Sequence, residues 1–485
     1  MKKLSNLLSA VITEEIIGDE HVDIAGVTSD SRQCGPGSLF VAVRGYNVDG
    51  HDFIARAVEA GASAVVCESI PQNITANVTF VRVADASVAL GSLASQWYDN
   101  PSRKLRLIGV TGTNGKTTVA TLIYELARIF GLRVGLLSTV VNKVGDTDVP
   151  STHTTPDPLE LNRLLADMVE AGCSIAAMEV SSHAAAQHRI AGLHFAGGIF
   201  TNLTRDHLDY HKTFDAYLAA KKSFFDMLPR EAFALVNIDD RNGKVMVQNT
   251  LAHVYSYSTC NDADFRGRIV ENRLDGMLVA FNGHEVETLF TGRFNAANLT
   301  AVYGAGVLMG FDGYELLVAM SRLVPVAGRF QTFRGRGVTA IVDYAHTPDA
   351  LVNVLDTIRD VIGRNHAVIT VCGAGGNRDR GKRPVMAAEA ARRSDRVILT
   401  SDNPRDEKPD DIIADMLAGL DDEARRRTLT ITDRREAIRT AVALAAAGDV
   451  VLVAGKGHET YQIIGGVSSH FDDREEVTKA LGEDK

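Results

Sequence analysis

The sequence is poor in cysteine, and its cysteines have neither the paired spacing of a disulfide framework nor the spacing of a zinc site. There are five of them, an odd number scattered along the chain: Cys34, Cys67, Cys173, Cys260 and Cys372. Scattered cysteines are typical of reduced thiols in a reducing compartment. We therefore expect a cytoplasmic protein.

Long apolar runs and an excess of positive charge are also missing. No segment approaches the ~20 consecutive apolar residues of a membrane helix. The first stretch, MKKLSNLLSAVITEE, has two lysines and a short apolar run, but acids follow at once and no small-residue cleavage site appears. Acidic residues outnumber Lys and Arg by 61 to 51, for a formal net charge of −10, which argues against general affinity for nucleic acid. We expect no nucleic-acid partner and no membrane insertion, with substrates bound at local positive sites.

Length and strand pattern predict an α/β protein of three domains. A chain of 485 residues is too long for one hydrophobic core. Residues 1–102 have the pattern of a small α/β domain, and the polar, proline-containing stretch DNPSRK marks its end. In residues 103–334, apolar strands that end in polar residues predict a parallel sheet like that of phosphate-loop ATPases. Residues 335–485 alternate strands and helices cleanly, which indicates βαβ units and a Rossmann-like domain.

The most informative stretch is LRLIGVTGTNGKTT, where an apolar strand leads through a glycine turn into a helical pattern. Gly112 and Gly115 let main-chain N–H groups turn toward phosphate oxygens at the positive end of the helix. Lys116 would reach the terminal phosphates, and the Thr117 hydroxyl would bind Mg²⁺. The strict phosphate-loop pattern fails because Val110 stands where a glycine is expected, so this is a shorter variant. A turn that merely needs glycines is the alternative, but we predict nucleotide phosphate binding.

Further polar residues follow the predicted strands of the same segment. Glu179 ends the strand in CSIAAMEVSSH and would share a Mg²⁺ with Thr117, although an acid facing solvent is an equal alternative. His207 lies in TNLTRDHLDYH, four residues before His211; a lone histidine is more often structural, but neutral imidazole beside carboxylates also suits a divalent ion. Lys221 and Lys222 are adjacent on a predicted helix, so they point about 100° apart and one can face the site. Composition alone would place both in solvent.

The C-terminal segment carries charged groups at the ends of several predicted strands: Asp343, Arg378, Asp402 to Arg405, and Lys456 to Glu459. Ligands collect at the carboxyl ends of parallel strands, so several charged ends of one sheet indicate a site. In the N-terminal segment, Ser29 and Ser31 precede a Gly-Pro-Gly turn. Hydroxyls in that context most often cap the turn.

Motifs along the whole chain carry a resemblance to a known family. They are TGTNGKTT, MEVSSHAAAQHR, TNLTRDHLDYH, YLAAKK, the helix near Asn295, GRF, VDYAHTP, GGNRDRGKRP, SDNPRDEKP and AGKGHE. With them the chain resembles the Mur ligases of bacterial cell-wall synthesis, which share a three-domain fold with folylpolyglutamate synthases. The motifs are most similar to the members that join meso-diaminopimelate to UDP-N-acetylmuramoyl-L-alanyl-D-glutamate, with SDNPR as the sharpest marker. One departure is Gln331, where an acid is expected after the Gly-Arg turn.

The resemblance implies a ligase that uses ATP and Mg²⁺. The γ-phosphoryl group of ATP would pass to the D-glutamyl carboxylate, and an amine would then attack the acyl phosphate. Thr117 and Glu179 would hold one Mg²⁺, while His207 and a carbamylated Lys221 would hold a second. The implied catalytic residues are Lys116, His207 and Lys221. The implied nucleotide-binding residues are Gly112, Thr113, Asn114, Gly115, Lys116, Thr117, Thr118, Asn295, Arg329 and Asp343.

The resemblance also implies where the other substrates bind. Residues implied for the uridine and muramoyl-peptide parts are Ser29, Ser31, Tyr46, Asn47, Val48, Thr154, Thr155, Ser181, Gln187 and Arg189. Residues implied for the incoming amino acid are Arg378, Asp402, Asn403, Pro404, Arg405, Gly455 and Glu459. We expect a monomer whose third domain closes on the second. A lysine-adding or folate-polyglutamylating enzyme, or a nucleotide-dependent switch, stays an alternative.

Overall fold

The computed structural model describes residues 1–45, 48–73, 77–151 and 153–482. Their strands form three large sheets and two two-stranded sheets, and the fold is α/β as predicted. All five cysteines are free thiols. Within the described ranges, no helix has the length and apolar character needed to cross a bilayer.

The N-terminal sheet has five strands, in the order Glu15–Ile17, Thr79–Arg82, Ala62–Cys67, Ser38–Val41 and Gly26–Thr28. The first strand is antiparallel to its neighbour and the others are parallel. Leu39 and Val41 face one core while Phe40 faces the other, because side chains alternate along a strand. A two-stranded pair is formed by Lys2–Lys3 and Asp23–Ile24. The helices are Leu4–Leu8, Ile54–Glu59 and Ala86–Trp97.

The central sheet has eleven strands. Seven parallel strands form its middle, in the order Val134–Leu137, Ile175–Glu179, Arg106–Thr111, Gly197–Phe200, Phe233–Asn237, His253–Ser258 and Phe265–Arg273. Antiparallel strands extend both sides, namely Asn142–Val144 with Thr147–Val149 on one side, and Gly276–Phe281 with His284–Thr288 on the other. The parallel middle is as predicted, whereas the sequence analysis did not anticipate the antiparallel extensions.

Helices cover both faces of the central sheet. On one face, Val119, Ile123 and Leu126 recur at helical spacing and join the core beneath the sheet. On the other face, Leu165 and Phe224 belong to a second core. A sheet covered on both faces can bury strands that are apolar throughout. The helices of this region are Lys116–Ile129, Pro158–Glu170, Ser182–Ala186, Leu208–His211, Phe214–Asp226, Gly243–Met246, Arg293–Leu308 and Gly313–Ser321.

The strand order of the central sheet creates a crevice at the phosphate loop. The chain enters the sheet at Arg106–Thr111, continues to four strands on one side, and then crosses to Gly197–Phe200 on the other side. Ligands bind in α/β sheets at such a point of reversal, outside the carboxyl ends of the strands. The segment after Thr111 therefore lies where a ligand is expected.

The C-terminal sheet has six strands, in the order Gln331–Gly335, Val338–Asp343, Val450–Ala454, Val368–Cys372, Arg396–Leu399 and Thr428–Thr430. The first is antiparallel to the second, and the remaining five are parallel as predicted. A separate hairpin pairs Tyr461–Ile464 with Val467–His470. The helices are Pro348–Ile362, Lys382–Arg393, Pro409–Leu417, Asp422–Arg426, Arg434–Leu444 and Asp473–Leu481.

One predicted division falls inside a paired hairpin. Residues Gln331–Gly335 pair along their whole length with Val338–Asp343. Arg336 and Gly337 have positive φ angles of 56° and 78°, as a two-residue hairpin turn requires. The division between residues 334 and 335 thus cuts through this hairpin, and the three domain ranges stay a prediction.

Candidate active site

The carboxyl ends of the central and C-terminal sheets face one cleft of about 690 Å³. Residues of both sheets line it, and these include most of the residues that the sequence predicted. They are Thr113, Asn114, Gly115, Lys116, Thr117, Thr118, Thr154, Thr155, Glu179, Ser181, Arg189, His207, Lys221, Asn295, Arg329, Asp343, Arg378, Asp402, Asn403, Arg405, Gly455 and Glu459. Apart from Gly112 and Pro404, the residues predicted for the nucleotide and for the amino acid therefore share a single cavity, whereas the described residue Gln187 of the muramoyl-peptide set is not part of its lining.

Two glycines give the phosphate loop its path. Gly112 has a φ of +149° and Gly115 a φ of +86°, conformations that L side chains rarely adopt. A Cβ at Gly112 would collide with Thr201 Oγ1, and one at Gly115 would lie 2.5 Å from Asn298 Oδ1. The Thr201 hydroxyl donates to the Asn114 carbonyl at 2.6 Å, which ties the loop to the next strand. The following helix begins directly after Gly115 and points its N-terminus into the cleft.

Lys116 and Lys221 donate to the same main-chain oxygen. Their Nζ atoms lie 2.9 and 2.7 Å from the Gly112 carbonyl oxygen. The Lys221 residue is only 1% exposed, and this burial, with Lys116 nearby, lowers its pKa well below the usual value. Burial also lowers the pKa of Lys116. Lys222 points elsewhere and binds Asp226 on its own helix at 2.7 Å, so the two adjacent lysines diverge as predicted.

The predicted Mg²⁺ ligands have oxygen and imidazole donors. Glu179 is 1% exposed, and one of its carboxylate oxygens accepts from the Thr139 N–H at 2.7 Å. Burial lowers the pKa of His207 to about 4 against the attraction of Asp206, so the ring is neutral at pH 7. Within the described residues, no three His, Cys, Asp or Glu side chains cluster as a metal site. Glu179 and the Thr117 hydroxyl fit a Mg²⁺ that keeps waters or phosphate oxygens as further ligands.

A polar network connects the residues predicted for the muramoyl peptide. The Thr155 hydroxyl donates to the Glu179 carbonyl at 2.8 Å and accepts from the Ser181 N–H at 3.2 Å. The Arg189 guanidinium donates to the Thr155 carbonyl at 2.8 Å and forks onto Gln187 Oε1 at 3.0 and 2.7 Å. Burial lowers the pKa of Arg189. These side chains are held beside the strand end that carries the Glu179 carboxylate.

Arg329 connects the start of the C-terminal sheet to the phosphate helix. Its Nη2 donates to Thr117 Oγ1 at 3.1 Å, and its guanidinium lies 4.4 Å over the Tyr344 ring. Asp343 accepts from the Phe330 N–H at 2.7 Å. Burial raises the pKa of Asp343 to about 6 against the attraction of Arg329. Arg329 thus bridges the two regions that form the cleft.

Asn403 is the centre of a paired polar cluster at the C-terminal sheet. Its Nδ2 donates to Glu459 at 2.7 Å, its Oδ1 accepts from Lys456 at 3.2 Å, and Lys456 contacts Glu459 at 3.1 Å. Burial, with Asp402 nearby, raises the pKa of Glu459. Gly455 has a φ of +119°, and a Cβ there would lie 2.6 Å from Asp402 Oδ2. The close approach of Asp402 and Gly455 therefore requires glycine.

Arg405 is fixed by the hairpin that follows the last parallel strand. It has a positive φ of 55°. Its N–H donates to the Ile463 carbonyl at 3.0 Å, and its carbonyl accepts from the Gly465 N–H at 2.7 Å. The Arg405 Nη1 atom donates to the Gly376 carbonyl at 2.9 Å, and Gly376 lies against the Pro404 carbonyl too closely for a Cβ. The SDNPR segment is therefore an ordered wall of the cleft.

The residues predicted for uridine lie elsewhere. Among the described residues, Ser29, Ser31 and Val48 are not part of the cleft lining; Ser29 and Val48 are exposed and Ser31 is buried. Tyr46 and Asn47 fall outside the described residues. The uridine site stays a prediction.

The cleft also contains residues that the sequence analysis missed, among them Asp206, Tyr344, His346 and Lys382. Lys382 Nζ donates to the His346 carbonyl at 2.9 Å, and His346 Nδ1 lies 2.8 Å from the Tyr344 carbonyl oxygen. Burial lowers the pKa of both Lys382 and His346. These residues lie within TNLTRDHLDYH, VDYAHTP and GGNRDRGKRP. Applying the strand-end argument to every polar residue of those motifs would have found them.

Comparison with known proteins assigns the family. The chain matches the Mur ligase family catalytic domain over residues 23–98, the Mur ligase middle domain over 110–306, and the Mur ligase glutamate ligase domain over 328–457. It is 59% identical over 474 residues to the UDP-N-acetylmuramoyl-L-alanyl-D-glutamate–2,6-diaminopimelate ligase of Bacteroides fragilis, covering 98% of each chain. It is 58% identical over 473 residues to the enzyme of the same name from Bacteroides thetaiotaomicron, covering 97% of this chain and 98% of the other.

A solved structure of a UDP-N-acetylmuramoyl-L-alanyl-D-glutamate–2,6-diaminopimelate ligase has the same architecture. It superposes with a TM-score of 0.69 at 34% identity and covers 97% of this chain and 99% of its own. Similarity in sequence and fold thus extends over nearly the whole length, including the loop and strand ends that form the cleft. On these grounds the chain belongs to the Mur ligase family.

Proposed function

We propose that this protein is an ATP-dependent ligase that adds meso-diaminopimelate to the D-glutamyl carboxylate of UDP-N-acetylmuramoyl-L-alanyl-D-glutamate. The observation that carries the proposal is the shared cleft, in which the loop of Lys116 and the SDNPR segment of Arg405 line one cavity. Amide synthesis needs a phosphoryl donor and an amine within reach of the same carboxylate, whereas a nucleotide switch needs only the first.

Activation of the carboxylate takes place at the central-sheet edge. Lys116 and the N-terminus of its helix bind the phosphates of ATP, and Arg329 approaches the same helix through Thr117. A carboxylate oxygen of the D-glutamyl group forms a bond to the γ-phosphorus while the bond to the ADP oxygen breaks. The products are an acyl phosphate and ADP. The contribution of the protein is positioning and neutralisation of charge.

Mg²⁺ at Thr117 and Glu179 would offset the repulsion between the carboxylate and the phosphates. A second ion fits His207 only together with an anionic Lys221. The deprotonated Lys221 amine would attack CO₂, forming a C–N bond and releasing one proton, and the product is an N-carboxylate with two oxygen donors. Burial lowers the pKa of Lys221 and so favours the neutral amine that this step needs.

The amine comes from the C-terminal edge. Arg405 and Arg378 bind the far carboxylate of diaminopimelate, while Asp402, Asn403 and Glu459 bind its polar atoms. The amine attacks the acyl carbon, phosphate leaves with the C–O bond, and the amine loses a proton. Thr154, Thr155, Ser181, Gln187 and Arg189 hold the muramoyl peptide, and Ser29, Ser31 and residues 46–48 hold the uridine.

The proposal includes an arrangement of domains and a setting. Residues 1–102 form the uridine-binding domain, 103–334 the ATP-binding domain and 335–485 the amino-acid-binding domain. The protein works in the cytoplasm as a monomer. Size-exclusion chromatography with light scattering measures its molar mass and so tests the monomeric state.

A phosphate-release assay tests the proposed reaction. The nucleotide-linked dipeptide, ATP and Mg²⁺ are supplied with diaminopimelate, lysine or glutamate in turn. We expect release that depends on diaminopimelate, with lysine at least about thirtyfold less effective. Preference for lysine or glutamate would indicate a sister ligase. Tight nucleotide binding without release under any of these conditions would indicate a switch.

A further inference from the structure

A fully buried ion pair lies beneath the amino-acid edge of the C-terminal sheet. Arg434 begins the helix Arg434–Leu444, and Asp473 begins the last helix, Asp473–Leu481. Both side chains are 0% exposed, and Arg434 Nε and Nη2 bind the two Asp473 oxygens at 2.8 and 2.7 Å. Burying such a pair costs desolvation free energy, and the attraction between the two charges offsets this cost only when further hydrogen bonds are present. Apolar residues of similar volume often give a fold at least the same stability. Its presence therefore calls for a role beyond stability.

The guanidinium has two further hydrogen bonds to main-chain carbonyls, one at the last residue of the parallel strand Val450–Ala454 and one two residues after the parallel strand Arg396–Leu399. Arg434 Nη1 donates to the Ser401 carbonyl at 3.2 Å, and Nη2 donates to the Ala454 carbonyl at 3.0 Å. The two strands are not neighbours, because Val368–Cys372 lies between them in the sheet. One side chain thus connects strand ends across three strands.

The two carbonyls immediately precede residues of the amino-acid site. Ser401 is followed by Asp402, and Ala454 is followed by Gly455. These two residues meet closely, since a Cβ on Gly455 would lie 2.6 Å from Asp402 Oδ2 and 3.9 Å from Arg434 Nη2. A small displacement of either strand end would therefore change the shape of the site at Asp402 and, three residues on, at Arg405.

We propose that Arg434, held by Asp473, is a positioning residue for the amino-acid site, because it fixes the strand ends at Asp402 and Gly455 relative to each other. This inference rests on the proposed function, which assigns those residues to the amino acid. Arg434 is not among the described residues that line the cleft, so it acts through the main chain of residues 401 and 454.

The next residue along the helix provides a matched control. Arg435 binds Glu476 at 2.8 Å and joins the same two helices, with its side chain 46% exposed. Its Nε donates to Glu476 on the last helix rather than to a strand end. Loss of this pair weakens the helix contact and leaves the strand-end bonds intact.

The test compares Arg434→Lys with Arg435→Gln in the phosphate-release assay, with diaminopimelate and ATP titrated separately. Lysine keeps the charge opposite Asp473 but cannot bond both carbonyls from one nitrogen. We expect the KM for diaminopimelate to rise at least tenfold in Arg434→Lys, while the KM for ATP changes less than twofold and Arg435→Gln resembles wild type. Equal rises in both KM values, no rise in either, or the same effect from Arg435→Gln would overturn the positioning role.

A second variant decides the matter if Arg434→Lys fails to fold by circular dichroism. Asp473→Asn keeps the guanidinium and loosens its anchor, and we expect at least a threefold rise in the KM for diaminopimelate alone; an unchanged KM would overturn the inference. Wild-type turnover is measured first. If no amino acid supports release, the proposed function and the positioning role both fail; if wild type turns over normally and the variants show no selective change, only the positioning role fails.

Discussion

The two sheet edges that face the cleft differ in what their basic side chains bind. At the central edge, Lys116 and Lys221 both bond a main-chain carbonyl, and burial lowers the pKa of each. At the C-terminal edge, Lys456 contacts Glu459, and Arg434 beneath it binds Asp473. Because Lys116 bonds the Gly112 and Thr113 carbonyls rather than a carboxylate, its charge is available to an incoming polyanion. At the C-terminal edge Lys456 and Glu459 are already paired with each other, so we expect an incoming carboxylate to depend on Arg405, whose side chain bonds the Gly376 carbonyl.

Removing the cation of the central edge should have the largest effect. We expect Lys116→Ala to lower kcat/KM for ligation at least about a thousandfold, on the order of 4 kcal/mol of transition-state stabilisation. The fold should survive, because the side chain lies in the cleft rather than in a core. Steady-state phosphate release measures the loss, and Lys104→Ala, at an exposed lysine of the preceding link, is the control. Near-normal turnover in Lys116→Ala would contradict the phosphate-loop assignment.

Lys221, the second lysine of that edge, should matter through its carbamate form. We expect Lys221→Ala to lose at least about a hundredfold in kcat, and Lys222→Ala to stay within about twofold, since an i,i+4 pair contributes only about 0.3–0.5 kcal/mol. Lys221→Glu should recover part of the activity by supplying oxygen ligands. Carbon-13 NMR of enzyme equilibrated with labelled bicarbonate should show a carbamate signal that Lys221→Ala lacks. Equal losses from the two alanines would contradict the carbamate hypothesis.

Selectivity should depend on the C-terminal edge. With lysine in place of diaminopimelate, the Arg405 guanidinium would face a methylene and keep its bond to the Gly376 carbonyl but lack a carboxylate partner, and loss of a charged partner costs on the order of 2–5 kcal/mol. We expect wild type to prefer diaminopimelate by at least about thirtyfold, and Arg405→Ala to lose most of that preference with its ATP affinity unchanged. Kinetics of both enzymes with both amino acids provide the measurement. If Arg405→Ala kept the wild-type ratio, another residue would set the specificity.

The smallest expected effect concerns Asp343, between the two edges. Because burial raises its pKa from 3.8 to about 6 in the folded state, the folded protein binds this proton more tightly than the unfolded chain. The free energy of unfolding should therefore decrease as pH rises from about 4 to about 6, by on the order of 1–3 kcal/mol, and level off above. Asp343→Asn should remove this part of the profile. Urea unfolding of both proteins at several pH values measures the difference, and parallel profiles would contradict it.

The parts of the site that the sequence predicted are those encoded by a single segment. The loop before Lys116 follows from its glycines, and Glu179 follows from its place at the end of an apolar strand. The divergence of Lys221 and Lys222 follows from helix geometry alone. Each of these inferences needs only local spacing and the rule that ligands collect at strand ends.

The parts that were missed depend on contacts between distant segments. Arg434 meets Asp473 39 positions later and the Ser401 carbonyl 33 positions earlier, and nothing in its own segment marks it as different from Arg435. Lys382 likewise meets His346 36 positions earlier. The division after residue 334 was placed where the strand and helix alternation restarts, and the pairing of Gln331–Gly335 with Val338–Asp343 around the turn at Arg336 and Gly337 does not show in that alternation.

The carbonyl oxygen of Gly112 accepts hydrogen bonds from both Lys116 and Lys221, although one donor is enough to satisfy it. If Lys116 turned toward a phosphate, the Lys221 nitrogen would still donate to this oxygen, and the nitrogen of the proposed carbamate would keep one hydrogen to do so. The carbonyl at Gly112 would then keep a hydrogen-bond partner while Lys116 binds its ligand.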